Sequence, residues 1–244
     1  MNTLFSFKRF GLLLQRYFYE RRKHDLLFWS ITVLVLMLSG GSVQFSVTYL
    51  VVSGAIFVSN LFREIHSKTQ GINYFMLPAT QLEKITMTLF VSVIYYFAMF
   101  LITYIIGNIL GTLLNNLLAT FLPWFSHTSF FAEKFVQMPL KETFMAFVFV
   151  QAIFLLGGIY FKRNAFLKTV FSIFALIFAL LIIEMILVSL FIERTFTTSL
   201  FPEEMMSFSL HFETFYKRIL NILGYLFVPF VWIVSYFRLT EKEV

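Results

Sequence analysis

The feature that most constrains this chain is a set of long stretches that contain almost no charged residue. They cover residues 26–62, 85–132, 143–161, 169–192 (interrupted by Glu184) and 219–237. A transmembrane helix needs about 20 consecutive apolar residues, and each stretch is close to that length or longer. Of the 244 residues, 59% are hydrophobic and 13% are charged, about half the charged share of soluble domains. These values exclude a soluble globular domain and predict an all-α, polytopic membrane protein.

The two longest runs decide how often the chain crosses the bilayer. Run 26–62 can cross twice, since Gly40 and Gly41 at its centre indicate a turn and basic residues flank both of its ends. Run 85–132 crosses once in our interpretation, because two crossings would place Lys162 and Arg163 outside the cell. The six predicted transmembrane helices are 26–39, 43–62, 86–110, 143–161, 169–192 and 219–237.

This topology sorts the basic residues. Fourteen of the 19 Lys and Arg face the cytoplasm, as do both chain termini, so the net charge of +6 reflects the positive-inside rule rather than nucleic-acid binding. Segments 111–142 and 193–217 are then external. The apolar stretch 111–132 is longer than the span needs, and it could extend the third helix, lie in the outer interface or re-enter the membrane.

The N-terminal residues 3–23 have the pattern of an amphipathic helix. Leu4, Phe7, Leu14 and Phe18 recur at helical spacing, and basic residues lie opposite them. Such a pattern predicts an interfacial helix on the anionic cytoplasmic leaflet, acting either as a membrane anchor or in coupling to a partner.

The cytoplasmic loop 63–84 carries a helix-start signal. Thr80 and Glu83 have the spacing of a capping box, and Pro78 ends whatever precedes it. A helix is therefore predicted to begin near Thr80 and to continue into the third span. Upstream, Tyr74 and Met76 belong to an apolar patch that either contacts a partner protein or dips into the membrane interface.

Several kinds of chemistry are missing from the sequence. The chain has no cysteine and no Gly-Lys dipeptide, which excludes thiol chemistry and a phosphate-binding loop for ATP. Asp25 is the only aspartate, and the four histidines lack the spacing of a metal site. We therefore predict that the protein is not an enzyme and that this chain binds no cofactor or metal.

Glu184 is the one ionisable residue deep within a predicted span. Carboxylates inside a membrane are costly, so they usually face a cavity or a partner. In a functional interpretation, Glu184 is a polar point on a substrate path or a protonatable switch. In a structural interpretation, it is a carboxyl that is hydrogen-bonded to neighbours such as Ser189, Tyr104 or Asn108.

This organisation resembles the permease subunit of a type-2 ATP-binding-cassette (ABC) transporter. The local matches are Leu77-Pro-Ala-Thr-x-x-Glu-Lys84 in the second loop and Gly158-Ile-Tyr-Phe-Lys-Arg-Asn-Ala-Phe-Leu-Lys168 between the fourth and fifth spans. The second is similar to stretches of small Bacteroidetes-type members. The resemblance covers the whole chain in organisation, and its motifs are short.

The resemblance implies an exporter permease in the bacterial cytoplasmic (inner) membrane. A separate ATPase would hold ATP and Mg²⁺, and a second permease copy or paralogue would complete the path. The residues implied to couple to the ATPase are Glu64, Tyr74, Met76, Pro78, Thr80, Glu83, Lys84, Lys162, Arg163 and Asn164. The substrate class — drug, peptide, lipid or glycan — stays open. The alternatives are a proton-coupled secondary transporter that uses Glu184 and a membrane scaffold subunit without transport activity.

Overall fold

Six helices account for the regular structure in the part of the chain that the computed structural model describes, residues 5–39, 42–62, 76, 78–121, 139–195 and 224–241. They are α1 (Phe7–Leu38), α2 (Val43–Leu61), α3 (Gln81–Phe121), α4 (Leu140–Tyr160), α5 (Ala165–Thr195) and α6 (Gly224–Thr240). Four of the described helices are long and apolar enough to cross a membrane: Val43–Leu61, Gln81–Phe121, Leu140–Tyr160 and Ala165–Leu187. The expectation of an all-α protein with apolar membrane-crossing helices is therefore confirmed.

Helix α1 joins two segments that the charge pattern separates. The interfacial helix expected over 3–23 and the span expected over 26–39 form one helix of 32 residues from Phe7 to Leu38. Residues 7–38 contain no proline, and their one glycine, Gly11, is far from the junction near residue 25. No helix-breaking residue therefore separates the two segments. The expected boundary near residue 25 is therefore absent, and the basic N-terminal part continues directly into the apolar part.

Contacts along the helices fix their relative directions. Helix α1 runs parallel to α3, because Ser6 contacts Glu83 near the start of both while Leu36 lies beside Gly107 near the other end. Helix α2 runs opposite to α1, since Thr32 Oγ1 lies 3.2 Å from Tyr49 Oη while Arg21, earlier in α1, contacts the carbonyl of Asn60, later in α2.

Helix α4 runs parallel to α2. Near the middle of α2, Gly54 lies beside Phe147, and at its end Phe62 lies beside Gly158. We call the end of the bundle that holds Ser6, Glu83, Phe62 and Gly158 the proximal end and the opposite end the distal end. Helices α1 and α3 leave the proximal end, and α2 and α4 return to it.

Helix α3 is the longest element and contains a π-helical turn. Its 41 residues extend over roughly 60 Å, about twice the thickness of a bilayer hydrocarbon core. Residues 111–121 continue this helix, which is one of the three structures considered for the apolar stretch 111–132; residues 122–138 lie outside the described ranges. The π-helical turn covers Phe90–Tyr95, where the Tyr96 N–H donates to the Val91 carbonyl five residues earlier.

Aromatic side chains form the centre of the bundle. Tyr96 is fully buried, stacks on Phe147 with ring centroids 5.6 Å apart and lies 4.8 Å from the ring of Phe57. Its hydroxyl shares a 2.7 Å hydrogen bond with Ser53 Oγ on α2. This one tyrosine therefore connects α2, α3 and α4.

Helix α5 packs against the bundle through its first turns only. Thr169 is buried against Gly157 of α4, and Val170 and Ile173 contact the apolar cluster at the proximal end. From residue 174 to 187 every side chain of α5 is exposed. In a membrane this part of α5 is open to lipid or to another protein chain.

The bundle is held closely together at Gly54. A Cβ added there would lie 2.6 Å from Gln151 Nε2 and 2.7 Å from Phe147 Cε2. Both of these side chains are almost completely buried, so neither has free space to move into. Helices α2 and α4 can approach this closely only because residue 54 has no side chain.

We expect Gly54→Ala to lower the free energy of unfolding by about 1–3 kcal/mol, because the added methyl group overpacks the core. Gly11→Ala is the matched control: nothing lies within 4 Å of its Cβ position, and alanine favours a helix. The measurement is the midpoint of thermal unfolding in detergent. Equal midpoints for the two variants would show that α2 and α4 do not meet at Gly54.

Candidate functional site at the proximal end

The first turn of α3 is built by a capping box. Thr80 is the N-cap residue, and its Oγ1 accepts a hydrogen bond from the Glu83 N–H at 3.3 Å. In return the Glu83 carboxylate accepts the Thr80 N–H at 2.8 Å. The capping box predicted from the spacing of Thr80 and Glu83 is confirmed. It begins α3 five residues before the predicted start of the third span.

The same carboxylate also holds the start of α1. Glu83 accepts the backbone N–H of Ser6, the N-cap residue of α1, at 2.7 Å, and the Arg9 guanidinium lies 3.0 Å from it. The Glu83 side chain is 0% exposed. One buried carboxylate therefore accepts the N-cap N–H groups of two parallel helices, where the positive ends of both helix dipoles favour a negative charge.

Hydrogen bonding determines the charge state of Glu83, which lies on the proximal side of the membrane-spanning part of α3. Burial alone would raise its pKa, but the N–H donors of Thr80 and Ser6 and the Arg9 guanidinium outweigh burial and hold the pKa below its usual value. Glu83 is therefore ionised at neutral pH, and its three contacts are charge-assisted hydrogen bonds of the stronger kind.

The other described residues of the predicted coupling set lie at the same end of the bundle. Lys84 is buried beside Glu83, and the next residue, Ile85, packs in one cluster with Ile159 near the end of α4. The turn 161–164 follows Ile159 directly, so Lys162, Arg163 and Asn164 also lie at the proximal end.

Five further members of the predicted coupling set are exposed at this end. Lys162, Arg163 and Asn164 are exposed, and Asn164 has a left-handed backbone with φ of 53°. Met76 (78% exposed) and Pro78 are also exposed just before α3. The predicted coupling residues Glu64 and Tyr74 lie outside the described residues.

Glu184 and two of its predicted hydrogen-bond partners have different environments. Tyr104 and Asn108 were considered as hydrogen-bond partners, but both are buried between α3 and its neighbours, where Asn108 Nδ2 donates to the Tyr104 carbonyl at 2.8 Å. Glu184 is exposed on the part of α5 that leaves the bundle. Ser189 Oγ donates to the Ile186 carbonyl at 2.8 Å. These contacts do not pair Glu184 with Tyr104 or Asn108, and both interpretations of its role stay predictions.

Sequence reasoning missed two sets of residues. Ser6 and Arg9 were assigned to the interfacial helix, and nothing in the local pattern links them to Glu83, which is 77 residues from Ser6. Gln151 is the only amide in the run 143–161, and this was a signal that a search for charges overlooked. The structure buries it beside Gly54, with its amide atoms unpaired among the described residues.

Comparison with known proteins gives no match: no family model, no curated protein and no solved structure is significantly similar to this chain. Within the described ranges, no cluster of three His, Asp or Glu side chains is able to hold a metal ion. At the proximal end, hydrogen bonds and one ion pair of Glu83 connect the start of α1 to the start of α3.

We expect Glu83→Gln to reduce stability by about 1.5–3 kcal/mol, since it removes the charge from three buried hydrogen bonds. The folded-state pKa of Glu83 is lowered, so its stabilisation is fully present above the ordinary glutamate pKa of about 4.3 and is lost as the pH falls through the lower folded-state value. Thermal unfolding midpoints measured from pH 7 down to the acid limit of the protein should therefore converge for wild type and variant.

Glu20→Gln is the control for this experiment. Glu20 pairs with Arg16 at 2.7 Å on the exposed surface of α1, and exposed pairs of this kind contribute little. A variant at Glu83 that is as stable as the Glu20 variant at pH 7 would contradict the role assigned to the buried carboxylate.

Proposed function

We propose that the chain is the permease subunit of an ABC exporter, driven by ATP that a separate ATPase chain hydrolyses. The observation that carries this proposal is the attachment of two helices to Glu83 directly after the loop 63–80. A force on that loop reaches α3 through Thr80 and reaches α1 through Ser6 and Arg9. The two helices would therefore move as one unit.

The length of α3 supports transmission across the membrane. The helix begins at the capping box and continues without interruption of its helical backbone to Phe121, at the distal end. Helix α1 packs beside it over most of its own length, through Phe10 on Phe90 and Leu36 on Gly107. A tilt started at the proximal end would thus be carried to the distal end by rigid-body motion of the pair.

We place the proximal end in the cytoplasm of a bacterium, with six spans in the inner membrane and both termini on the cytoplasmic side. The alternating directions of α1 to α4 support this topology, because α3 leaves the proximal end and α4 returns to it. The exposed residues Met76, Pro78, Lys162 and Arg163 would then face the ATPase, which would hold ATP and Mg²⁺.

The proposal includes a second permease chain, either an identical copy or a paralogue. Helix α5 supports this part, since its side chains from 174 to 187, which include Glu184, are all exposed in the described chain. The translocation path would lie between the two permeases. A drug, peptide, lipid or glycan is the class of substrate that such exporters carry.

Topology is testable with single cysteines, because the natural chain has none. We expect Arg163→Cys in intact cells to be protected from a membrane-impermeant maleimide and Phe121→Cys to be labelled, since the two residues lie at opposite ends of the bundle. Both positions are exposed, so each label can reach its thiol once the membrane is permeable. Labelling of Arg163→Cys in intact cells would overturn the topology.

The ATPase is testable by purification in mild detergent. We expect a stoichiometric partner that carries a phosphate-binding loop to co-purify with the wild-type chain. Met76→Asp should reduce its recovery at least roughly tenfold, because a charge replaces an exposed apolar contact, which corresponds to about 1.4 kcal/mol or more.

Phe121→Asp is the matched control, since Phe121 is also largely exposed (81%) but lies at the distal end. It should leave ATPase recovery unchanged. Reproducible absence of any ATPase from the wild-type preparation would refute the proposed function.

A further inference from the structure

A cleft of about 560 Å³ lies at the proximal end, between the end of α2 and the turn that joins α4 to α5. Ser59 and Asn60 form its α2 side, and Lys162, Arg163 and Asn164 form the turn side. Its size is within the range of small-molecule sites, and it lies at the level where α2 and α4 end. The cleft is separate from Glu83 and its partners, none of which lines it.

The electrostatics of the cleft favour an anion. Lys162 and Arg163 line it, and none of its lining residues in the described part of the chain is a carboxylate. The Arg21 guanidinium of α1 reaches the carbonyl of Asn60 on the opposite wall, at 3.4 Å. Lys168 lies one turn into α5, with its Nζ 5.8 Å from the ring of Phe161. Two cations thus line the cleft, and Arg21 and Lys168 each contact one of its lining residues. The first residues of α5, Ala165 to Leu167, also line the cleft, and backbone N–H groups at a helix start favour anions.

The surroundings of the cleft favour an amphiphile over a water-soluble anion. Phe161 and Phe166 contribute apolar surface to the wall beside the cations. Leu167 also lines the cleft, and Phe171 (70% exposed) and Phe174 (69% exposed) follow it on the same face of α5, where the long exposed apolar surface begins. A bound molecule can therefore place a charged group in the cleft and extend hydrocarbon chains along α5.

We propose that this cleft binds the phosphate group of an anionic membrane lipid. The phosphate lies between Lys162 and Arg163 near the start of α5, and the acyl chains lie on the exposed face of α5. Each cation near a membrane surface strengthens binding of an anionic lipid several-fold. This inference concerns the cleft of this chain alone, and its test needs no ATPase.

The test uses the full-length chain in nanodiscs that contain phosphatidylglycerol and phosphatidylcholine in equal amounts. Native mass spectrometry after release from the nanodisc counts the lipids that stay bound. The wild type should retain phosphatidylglycerol in preference to phosphatidylcholine, and the double variant Lys162→Gln/Arg163→Gln should retain it roughly tenfold less. Both substituted residues are exposed, and unfolding midpoints check that the fold is intact.

Arg22→Gln/Lys23→Gln is the matched control, since it removes two exposed cations of α1 that do not line the cleft. It should retain the lipid as the wild type does. Equal loss in both double variants would overturn the proposal, because the effect would be one of total charge. Displacement of the lipid by millimolar inorganic phosphate would also overturn it, since a free anion would then be the ligand. Equal retention of both lipids by the wild type would do the same.

Discussion

The structure depends on the satisfied charge of Glu83. A carboxylate removed from water costs several kcal/mol unless its oxygens are hydrogen-bonded and a cation is near. Here both conditions are met by groups that themselves need a partner: the N-cap N–H groups of Ser6 and Thr80 and the guanidinium of Arg9. The charge and the helix ends therefore stabilise each other, and the parallel arrangement of α1 and α3 follows from their shared acceptor.

The middle of the bundle is held by a different principle. There the helices associate through close approach and aromatic packing, since water is not available to pair polar groups. The side chains of Gln151, Phe147 and Tyr96 pack directly against Gly54 of α2. In the same way, Thr169 of α5 packs directly against Gly157 of α4. Helix α5 loses contact with the bundle soon after that point. The bundle therefore has a tightly packed part, α1 to α4, and one helix that is left open along most of its length.

The sequence predicts those structural features that depend on residues close together in the chain. The capping box at Thr80 and Glu83 and the apolar helices depend on spacing along one segment of the chain, and they could be predicted. The contact between Glu83 and Ser6 depends on two helices packing side by side, which no spacing reveals. The surroundings of Glu184 could not be predicted for the same reason: hydropathy gives its depth in a span, but the direction in which α5 leaves the bundle decides what surrounds it.

The π-helical turn at Phe90–Tyr95 divides α3 into two α-helical segments. Relative to a continuous α-helix, the side chains of one segment are rotated about the helix axis. Each residue of an α-helix advances about 100° around the axis. One extra residue in a turn therefore rotates the side chains that follow it by about that angle. With the turn in place, Tyr95 meets Phe18 of α1 while the adjacent Tyr96 meets Phe57 of α2. If the turn were to relax to an α-helix, the segment that carries Glu83 would rotate by about that angle against the segment that carries Tyr96. The contact of Glu83 with Ser6 and the packing around Tyr96 therefore fix the rotation of α3 on the two sides of the π-helical turn.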